Sequence, residues 1–324
     1  MSTSASLRNS KLDVAIIAGS GRSGTTWLGS ILNSYEHADY FYEICAYPEL
    51  DFDGSNLLQV KYPLTSWMPK HPLWASKLER YALKQRIKLG IGREAAQRSL
   101  RIHSGHEFKK KEPTVNLFKI VALFAFASKI DRLDDKFGER LKVVHIIRNP
   151  FSQLASEIRM DSRDPERSRK HFKERMEAIL QEERFAKYHD LVRKYLHGSW
   201  VEHMALVWWI SNELLLNDTR LDKRLVVYED LCRSPYEKTQ ELFEFLGWDM
   251  SGQTLAHIEQ TTNVSKADAE SGMFSIKKNA DESINRWRGE MAPDTYKTIN
   301  DVLAACPLLQ YWSEEDLSYG EKHA

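Results

Sequence analysis

The sequence predicts an α/β fold in which a central parallel sheet is flanked by helices, giving a sandwich of three layers. Short apolar runs alternate with longer stretches of helical pattern along the chain, an order that is typical of a parallel sheet covered on both faces. The first apolar run also leads into a glycine-rich turn and then a helical pattern. The predicted strands are Val14–Ala18, Tyr40–Tyr42, Val115–Ile120, Val143–Ile147 and Leu225–Val227.

The glycine-rich turn after the first strand predicts a phosphate site. It reads Gly-Ser-Gly-Arg-Ser-Gly-Thr-Thr-Trp over residues 19–27. Gly19, Gly21 and Gly24 allow the backbone to turn tightly and to approach a ligand closely. A helix that begins near Gly24 directs its free N–H groups and the positive end of its dipole toward an anion.

This turn differs from the P-loop of nucleotide hydrolases at one position. Gly19 and Gly24 have the P-loop spacing, but Thr25 stands where the P-loop has its lysine. Arg22 places a cation inside the turn instead. Because ATP-hydrolysing enzymes use that lysine at the β- and γ-phosphates, the sequence predicts a P-loop-type fold without the usual ATP chemistry. A kinase or NTPase of related fold remains the alternative.

Charge and cysteine content limit the classes of partner and compartment. The 46 Lys and Arg residues balance the 46 Asp and Glu residues, so we expect neither nucleic acid nor a membrane surface as a partner. Cys45, Cys232 and Cys306 are far apart in the chain. This predicts no disulfide framework and favours a reducing, cytoplasmic location. No apolar stretch reaches the length of about 18 residues that a membrane span requires.

No linker divides the chain, so we predict one domain over residues 12–312, with flexible tails at 1–11 and 313–324. Residues 50–112 form a predicted insertion on the acceptor side. Between Lys61 and Lys111 this insertion carries thirteen Lys and Arg residues against three Asp and Glu residues. A locally basic segment attracts an anionic partner, although a solvated helical face is the simpler alternative.

A second candidate phosphate site follows the strand Val143–Ile147. That strand ends in Arg148-Asn149-Pro150, and Ser156 lies two turns into the helix that Pro150 is suited to begin. Ligands of open α/β sheets bind at the C-terminal ends of the strands, so we expect Arg148 to lie beside the glycine-rich turn. Its planar guanidinium can donate two parallel hydrogen bonds to a phosphate.

Together the two motifs resemble those of the sulfotransferase family. Arg22 to Trp27 stand as in that family's 5′-phosphosulfate loop, with Gly21 in place of the usual proline. The strand, the Arg-Asn-Pro turn and the serine eight residues after the arginine also match. The resemblance implies 3′-phosphoadenosine 5′-phosphosulfate (PAPS) as co-substrate, 3′-phosphoadenosine 5′-phosphate (PAP) as product, and no metal. It implies further that Arg148 and Ser156 bind the 3′-phosphate and that Arg22 contacts the donor near its bridging oxygen.

Two later segments also resemble the family. The strand Leu225–Val227 leads into Tyr-Glu-Asp-Leu, which implies a place near the adenine for Tyr228; Glu229 is an acid that could satisfy backbone donors at a helix start. Arg286 and Arg288 are implied as further contacts to the 3′-phosphate, and Trp287 is expected to pack the last helix onto the domain. The complete set of predicted donor-binding residues is Gly21, Arg22, Ser23, Gly24, Thr25, Thr26, Trp27, Arg148, Ser156, Tyr228, Arg286 and Arg288.

The catalytic base is predicted from a position at which this sequence differs from the cytosolic sulfotransferases. Those enzymes use a histidine two residues after a lysine, whereas here Lys119 is present and Val121 replaces the histidine. Glycan and tyrosyl-protein sulfotransferases instead place a glutamate after the first helix, and Glu43 matches that position. A partly buried carboxylate has a raised pKa and can accept a proton. An ion pair with a basic neighbour is the other role open to Glu43, and His103 or His106 of the insertion is the alternative base.

The predicted function is sulfuryl transfer from PAPS to a hydroxyl or amine of a carbohydrate-like or small-molecule acceptor. Glu43 and Arg22 are the predicted catalytic residues. The basic insertion and the missing histidine favour an anionic or sugar-like acceptor. One rival is a P-loop kinase or NTPase, which needs the missing lysine and an acidic Mg²⁺ ligand. The other rival is a protein that binds the nucleotide without turnover.

Overall fold

The structure of the protein is a computed structural model. It describes residues 13–41, 108–112, 114–121, 138–161, 165–262 and 279–320. The predictions made for Glu43, His103, His106 and residues 50–107 of the basic insertion lie outside these ranges.

The described strands form one parallel sheet with the order β2-β3-β1-β4-β5. They are β1 (Asp13–Ala18), β2 (Ala38–Phe41), β3 (Val115–Ile120), β4 (Leu141–Ile147) and β5 (Asp222–Val227). The central strand β1 pairs with β3 on one side and β4 on the other, so that Ile17 lies opposite Lys119 and Val144. This confirms the predicted parallel sheet, although β4 and β5 begin two and three residues earlier than the sequence pattern indicated.

Helices connect the strands and follow the last of them. They are α1 (Thr25–Leu32), α2 (Pro150–Asp161), α3 (Pro165–Gln181), α4 (His189–Tyr195), α5 (Trp200–Asn217), α6 (Tyr228–Arg233), α7 (Pro235–Leu246), α8 (Gly252–Thr262), α9 (Ala280–Asn285), α10 (Trp287–Glu290), α11 (Pro293–Leu303) and α12 (Glu314–Leu317). Short 3₁₀ turns occupy Gly138–Arg140, Glu183–Tyr188 and Pro307–Tyr311. Of the helices in the described ranges, none combines the length and the apolar character that crossing a bilayer requires.

Two apolar cores, one on each face of the sheet, confirm the three-layer sandwich. One core joins side chains of α1, α7 and α8 to the sheet through residues such as Ile17 and Val226. The other lies under α2, α3, α5 and α11, and Leu225 and Val227 pack against it. Val226 of β5 therefore packs in one core, and its neighbours Leu225 and Val227 pack against the other, because successive side chains of a strand point to opposite faces.

The long helix α5 shows why the second layer is stable. It begins with a capping box, in which Ser199 and Glu202 satisfy each other's backbone N–H groups. The pair Trp208 and Trp209 is 2% and 8% exposed. Both tryptophans are thus core residues.

The end of the chain differs from the flexible tail that we predicted from residue 313. Ser313 caps α12 by accepting a hydrogen bond from the backbone N–H of Asp316. Arg288 donates to the carbonyl oxygens of Asp316 and Ser318 at 3.2 and 3.0 Å, and Tyr296 donates to that of Leu317 at 3.2 Å. Side chains of the domain thus satisfy the carbonyl groups of this polar segment, which the hydrophobic pattern of the sequence does not reveal.

Candidate functional site

The glycine-rich turn closes on itself directly after β1. The Gly19 N–H donates to the carbonyl oxygen of Ile120 at the end of β3, at 3.1 Å. The Ser23 hydroxyl donates to the carbonyl oxygen of Ser20 at 2.7 Å, and Ser23 is fully buried. Arg22 adopts a φ of 67°, a left-handed conformation that is uncommon for a residue with a side chain. The turn therefore has a fixed shape in which the Ser23 side chain supports the backbone.

Gly24 joins this turn to the neighbouring strand end. Its φ is 100°, and a Cβ atom there would lie 2.4 Å from Cδ2 of Tyr228, the first residue after β5. At Gly19, a Cβ atom would lie 2.5 Å from the Ser23 hydroxyl oxygen. Both glycines are therefore required by close packing, and Gly24 also by its backbone conformation.

Helix α1 starts at Thr25 with Gly24 as its N-cap, and no side chain of the described residues caps it. The N–H groups of a helix's first turn have no partner within the helix and point out of its N-terminal end. Thr25 is 3% exposed, whereas the side chain of Thr26 is only partly buried. The start of α1 thus offers N–H donors and the Thr26 hydroxyl at the turn, which is the arrangement that binds an anion.

Lys119 brings a cation to this helix start from the adjacent strand β3. Its side chain is buried, and its Nζ donates to Oγ1 of Thr26 at 2.8 Å. The P-loop lysine is replaced by Thr25 in the sequence. A lysine from the neighbouring strand therefore reaches the helix start whose own P-loop lysine is missing.

Arg22 and Ser156, one from each of the two motifs, are in contact. The Arg22 Nε donates to the Ser156 hydroxyl oxygen at 2.9 Å. The same oxygen lies 3.2 Å from Nη2 of Arg159, which is one turn further along α2. The glycine-rich turn and the helix after β4 are therefore in direct contact through polar side chains.

Arg148 lies between the glycine-rich turn and helix α9. Its Nη1 donates to the carbonyl oxygen of Arg22 at 3.1 Å, and its Nη2 to that of Ser283 at 2.7 Å. The guanidinium carbon lies 4.6 Å from the centre of the Tyr228 ring, a cation–π contact. Within the described residues the buried Nε of Arg148 has no hydrogen-bond partner, so a donor remains for a ligand.

A buried carboxylate supports the residue after Arg148. Both oxygens of Glu229 accept from the backbone N–H of Asn149, at 3.1 and 3.3 Å, and Oε2 accepts from the indole of Trp312 at 2.7 Å. Burial raises the pKa of Glu229, while the charge of Arg148 acts in the opposite direction. Glu229 therefore fixes the backbone from which Arg148 extends, and it satisfies backbone N–H groups at helix starts, its own and that of Asn149.

Three arginines converge on the same place. Burial lowers the pKa of Arg22, and the charges of Arg148 and Arg159 lower it further, whereas Glu157 raises it. Like charges that are held together in a partly buried site destabilise one another. An anion placed among Arg22, Arg148 and Arg159 would remove this repulsion, and the site is thus electrostatically suited to a phosphate.

Gly21, Trp27 and Arg286, three further predicted donor-binding residues, have different surroundings. Gly21 is partly exposed in the turn. Trp27 is 2% exposed, donates its indole N–H to Thr261 at 3.2 Å and meets the Tyr228 ring edge-on at 6.0 Å. Arg286 pairs with Glu290. The donor roles of all these residues stay predictions.

Arg288 and Trp287 have visible structural roles. Arg288 donates to carbonyl oxygens of the C-terminal segment, and one of them, that of Asp316, also accepts from the side chain of Asn149. A contact of Arg288 with the 3′-phosphate stays a prediction. Trp287 stacks on Phe151 of α2 and Tyr296 of α11, with ring centres 5.2 and 6.0 Å apart. The expectation that Trp287 packs the last long helix onto the domain is confirmed.

Three residues of the site were not among the predicted set: Lys119, Arg159 and Glu229. Lys119 carried a signal, since it is a charged residue inside an apolar strand pattern and matches the family's lysine. Arg159 also carried one, because a residue three positions after Ser156 shares its helix face. The contact of Glu229 with Trp312 depends on how the end of the chain docks, which has no local signal. In the described part of the chain, no group of three or more His, Cys, Asp or Glu residues could hold a metal ion.

Comparisons with known proteins point to one family. A family model described as a sulfotransferase domain matches residues 12–305. Carbohydrate sulfotransferase 3 of Homo sapiens is 35% identical over 82 residues, which are 25% of this chain and 16% of that protein. Carbohydrate sulfotransferase 3 of Mus musculus is 28% identical over 169 residues, which are 51% of this chain and 32% of that protein. The aligned segments span less than a third of the length of either relative.

Among solved structures, the sulfotransferase domain from the Synechococcus PCC 7002 olefin synthase is similar to this chain. The identity is 16% and the TM-score 0.45, over 89% of this chain and 93% of that domain.

Proposed function

This chain belongs to the sulfotransferase family, and from that premise we propose that it transfers a sulfuryl group from PAPS to a hydroxyl or amine of a carbohydrate-like acceptor. The observation that carries the proposal is the meeting of Arg22, Arg148 and Ser156 in one place, beside the Thr26–Lys119 pair. Two separate phosphate sites at one sheet edge suit a nucleotide that carries phosphate at both its 5′ and 3′ ends.

The residues present fit this donor. The start of α1, together with Thr26 and Lys119, would hold the 5′-phosphosulfate through N–H groups, a hydroxyl and an ammonium. Arg148 retains a buried Nε donor without a partner among the described residues, and with Ser156 it would hold the 3′-phosphate. Tyr228, which packs on both Gly24 and Arg148, would lie between the two phosphate sites.

PAPS, when bound, supplies the sulfuryl group and a phosphate as its leaving group. Arg22 and Lys119 would stabilise the negative charge that develops on that phosphate, because both cations are held in place before the reaction. Lys119 is buried, and a buried cation interacts more strongly with such charge than one in water. These residues replace the P-loop lysine, and the site offers no support for the kinase or NTPase alternative.

Glu43 remains our proposed base for the acceptor's proton. The proposal rests on its position after the first helix and on the absence of histidine at Val121. In Glu43→Gln, we expect kcat for sulfuryl transfer to fall by about 10²- to 10⁴-fold while the affinity for PAP stays unchanged. A Glu43→Gln protein that transfers as fast as the wild type would exclude this role.

The acceptor class is proposed from two observations. The curated relatives are named carbohydrate sulfotransferases, and the segment from Lys61 to Lys111 is strongly basic, which suits an anionic sugar. Cytoplasmic location is part of the same proposal; it is supported by the low cysteine content, three residues in the whole chain.

Thermal unfolding with different nucleotides tests the donor assignment. At a concentration of about 100 times Kd, a ligand that binds only the folded state stabilises it by about 2.7 kcal/mol. We expect PAP to raise Tm clearly, and ATP with Mg²⁺ to raise it little. Stabilisation by ATP with Mg²⁺ and none by PAP would overturn the proposal in favour of a nucleotide hydrolase or kinase.

A further inference from the structure

Arg159 lies on the same face of α2 as Ser156, one helical turn later. Its Nη2 donates to the Ser156 hydroxyl oxygen at 3.2 Å, and Arg22 Nε donates to the same oxygen at 2.9 Å. A hydroxyl oxygen has two acceptor sites and one O–H donor. Since both acceptor sites are occupied by arginines, the Ser156 O–H remains to donate to a ligand, and a ligand that accepts from it would also lie next to Arg159.

On its other side, Arg159 forms an ion pair with Glu290. Nη1 of Arg159 contacts Oε2 of that carboxylate, while the Nε of Arg286 lies 2.5 Å from Oε1. The side chains of Arg159, Arg286 and Glu290 are 43%, 50% and 29% exposed. One carboxylate thus holds two arginines at the rim of the site formed by Arg148 and Ser156.

Ion pairs with this much exposure contribute little to stability, because water screens them. A phosphate carries more charge than a carboxylate and offers three acceptor oxygens, so it can compete with Glu290 for Arg159. The arginine needs little movement to make the exchange, since one of its nitrogens already contacts Ser156. Arg159 also lies near Arg22 and Arg148. Burial lowers the pKa of Arg22, and the charges of Arg148 and Arg159 lower it further. A phosphate among the three arginines relieves this repulsion, which favours the same exchange.

We propose that Arg159 is a further arginine of the 3′-phosphate site and that Glu290 forms an ion pair with Arg159 until the nucleotide binds. The proposal rests on the proposed function, because it assigns a further specificity residue to the same donor site. Arg159 then helps the protein to select an adenosine with a 3′-phosphate over one without it. Glu290 neutralises Arg159 and Arg286 in the free protein and opposes nucleotide binding by competing for them.

Calorimetric titration with PAP and with adenosine 5′-phosphate (AMP) tests this role. The two ligands share the adenosine and the 5′-phosphate and differ in the 3′-phosphate. For Arg159→Gln, we expect Kd for PAP to rise about tenfold or more, which is the effect of one lost charged hydrogen bond, while Kd for AMP stays unchanged. Arg193→Gln is the matched control, because Arg193 pairs with Asp190 on the exposed face of α4, and it should leave both constants unchanged.

Glu290→Gln provides a second test with the opposite sign. Removing the competing charge should tighten PAP binding several-fold, leave AMP binding unchanged and steepen the dependence of PAP affinity on salt. An Arg159→Gln protein that keeps the wild-type ratio of the two Kd values would overturn the inference, as would weaker PAP binding by Glu290→Gln. If the wild-type protein itself binds PAP no more tightly than AMP, the proposed function fails, which is a result distinct from either of these.

Discussion

Two features require glycine at position 24: its φ is 100°, and the Tyr228 ring occupies the space that a Cβ atom would need. We expect Gly24→Ala to lower the free energy of unfolding by roughly 1–3 kcal/mol from backbone strain alone, with a further loss from the clash. PAP binding should weaken with it, because Arg148 packs on the same ring. Chemical denaturation and PAP titration measure the two effects.

Gly247 provides the matched control for this substitution. It caps α7 with a φ of 74°, and nothing lies within 4 Å of a Cβ atom there. Gly247→Ala therefore imposes the backbone cost without a clash, and it should leave PAP affinity unchanged. Equal losses of stability in the two variants would show that contact with the Tyr228 ring does not matter.

Substitution of Lys119 tests whether the cation from β3 contributes to catalysis. Methionine fills a similar volume without the charge, so we expect Lys119→Met to fold and to lose about 10²-fold or more in kcat, with a smaller effect on PAP affinity. The control is Lys142→Met at the start of β4, whose Nζ donates to the carbonyl oxygen of Phe245, at the opposite end of the sheet from the site. Steady-state rates that match in the two variants would contradict the role of Lys119.

The residues that form contacts within the candidate site could be predicted only where they belong to a recognisable motif. Arg22 and Ser156 were predicted to bind one ligand, and their side chains meet at 2.9 Å. Ser23 and Trp27 belong to the same motif, yet Ser23 supports the turn and Trp27 is buried. A motif shows which residues a loop requires, but it does not separate those that support the loop from those that face its ligand.

At the scale of elements, Trp312 and Glu229 connect the end of the chain to the start of α2. The indole donates to the buried carboxylate, which in turn accepts from the backbone of Asn149. Asn149 also donates from its side chain to the carbonyl oxygen of Asp316 at 2.7 Å. The C-terminal segment therefore supports the loop that carries Arg148, although it lies far from that loop in sequence.

Trp312→Phe removes the indole donor and keeps most of the apolar volume. We expect a loss of about 1–3 kcal/mol in the free energy of unfolding, because a buried carboxylate loses a hydrogen bond.

The effect of this substitution depends on pH. Burial already raises the pKa of Glu229 above its usual value of 4.5. A carboxyl group whose pKa is higher in the folded state binds its proton more tightly there, so its contribution to stability falls as pH rises from about 4.5 through the folded-state pKa.

The loss in Trp312→Phe should therefore be larger at about pH 8 than at about pH 5, because the missing donor raises the pKa of Glu229 further. Trp209→Phe serves as control. The Trp209 indole also donates to a carboxylate, at 2.6 Å, but Glu213 is partly exposed and contacts Lys187 as well. Urea denaturation at both pH values should give a constant loss for Trp209→Phe, and an equally constant loss for Trp312→Phe would refute the role of the buried carboxylate.

At the scale of the whole molecule, the site is a product of sheet topology. The ends of β1, β3, β4 and β5 supply the glycine-rich turn, Lys119, Arg148 and Tyr228. A parallel sheet brings its C-terminal strand ends to one edge, so residues distant in sequence become neighbours. This is why the alternation of strands and helices, with two short motifs, was enough to predict the fold and the strand ends that meet at the candidate site.

The parts that could not be predicted depend on packing between elements that carry no periodic signal. The segment after residue 312 is polar and was expected to be flexible, but domain side chains bind its carbonyl groups. The pairing of Arg159 with Glu290 joins α2 to α10, two helices whose relative placement the hydrophobic pattern does not fix. Such contacts follow from the assembled fold and cannot be read from either segment alone.

The most direct test is transfer of radioactive sulfate from ³⁵S-labelled PAPS to a panel of acceptors: sulfated and unsulfated glycan oligosaccharides, simple sugars and small alcohols. We expect label on at least one sugar acceptor, without added metal, and a loss of that label in Lys119→Met but not in Lys142→Met. Label on no acceptor, together with Mg²⁺-dependent hydrolysis of ATP by the same preparation, would contradict the assignment of this chain as a PAPS-dependent sulfotransferase.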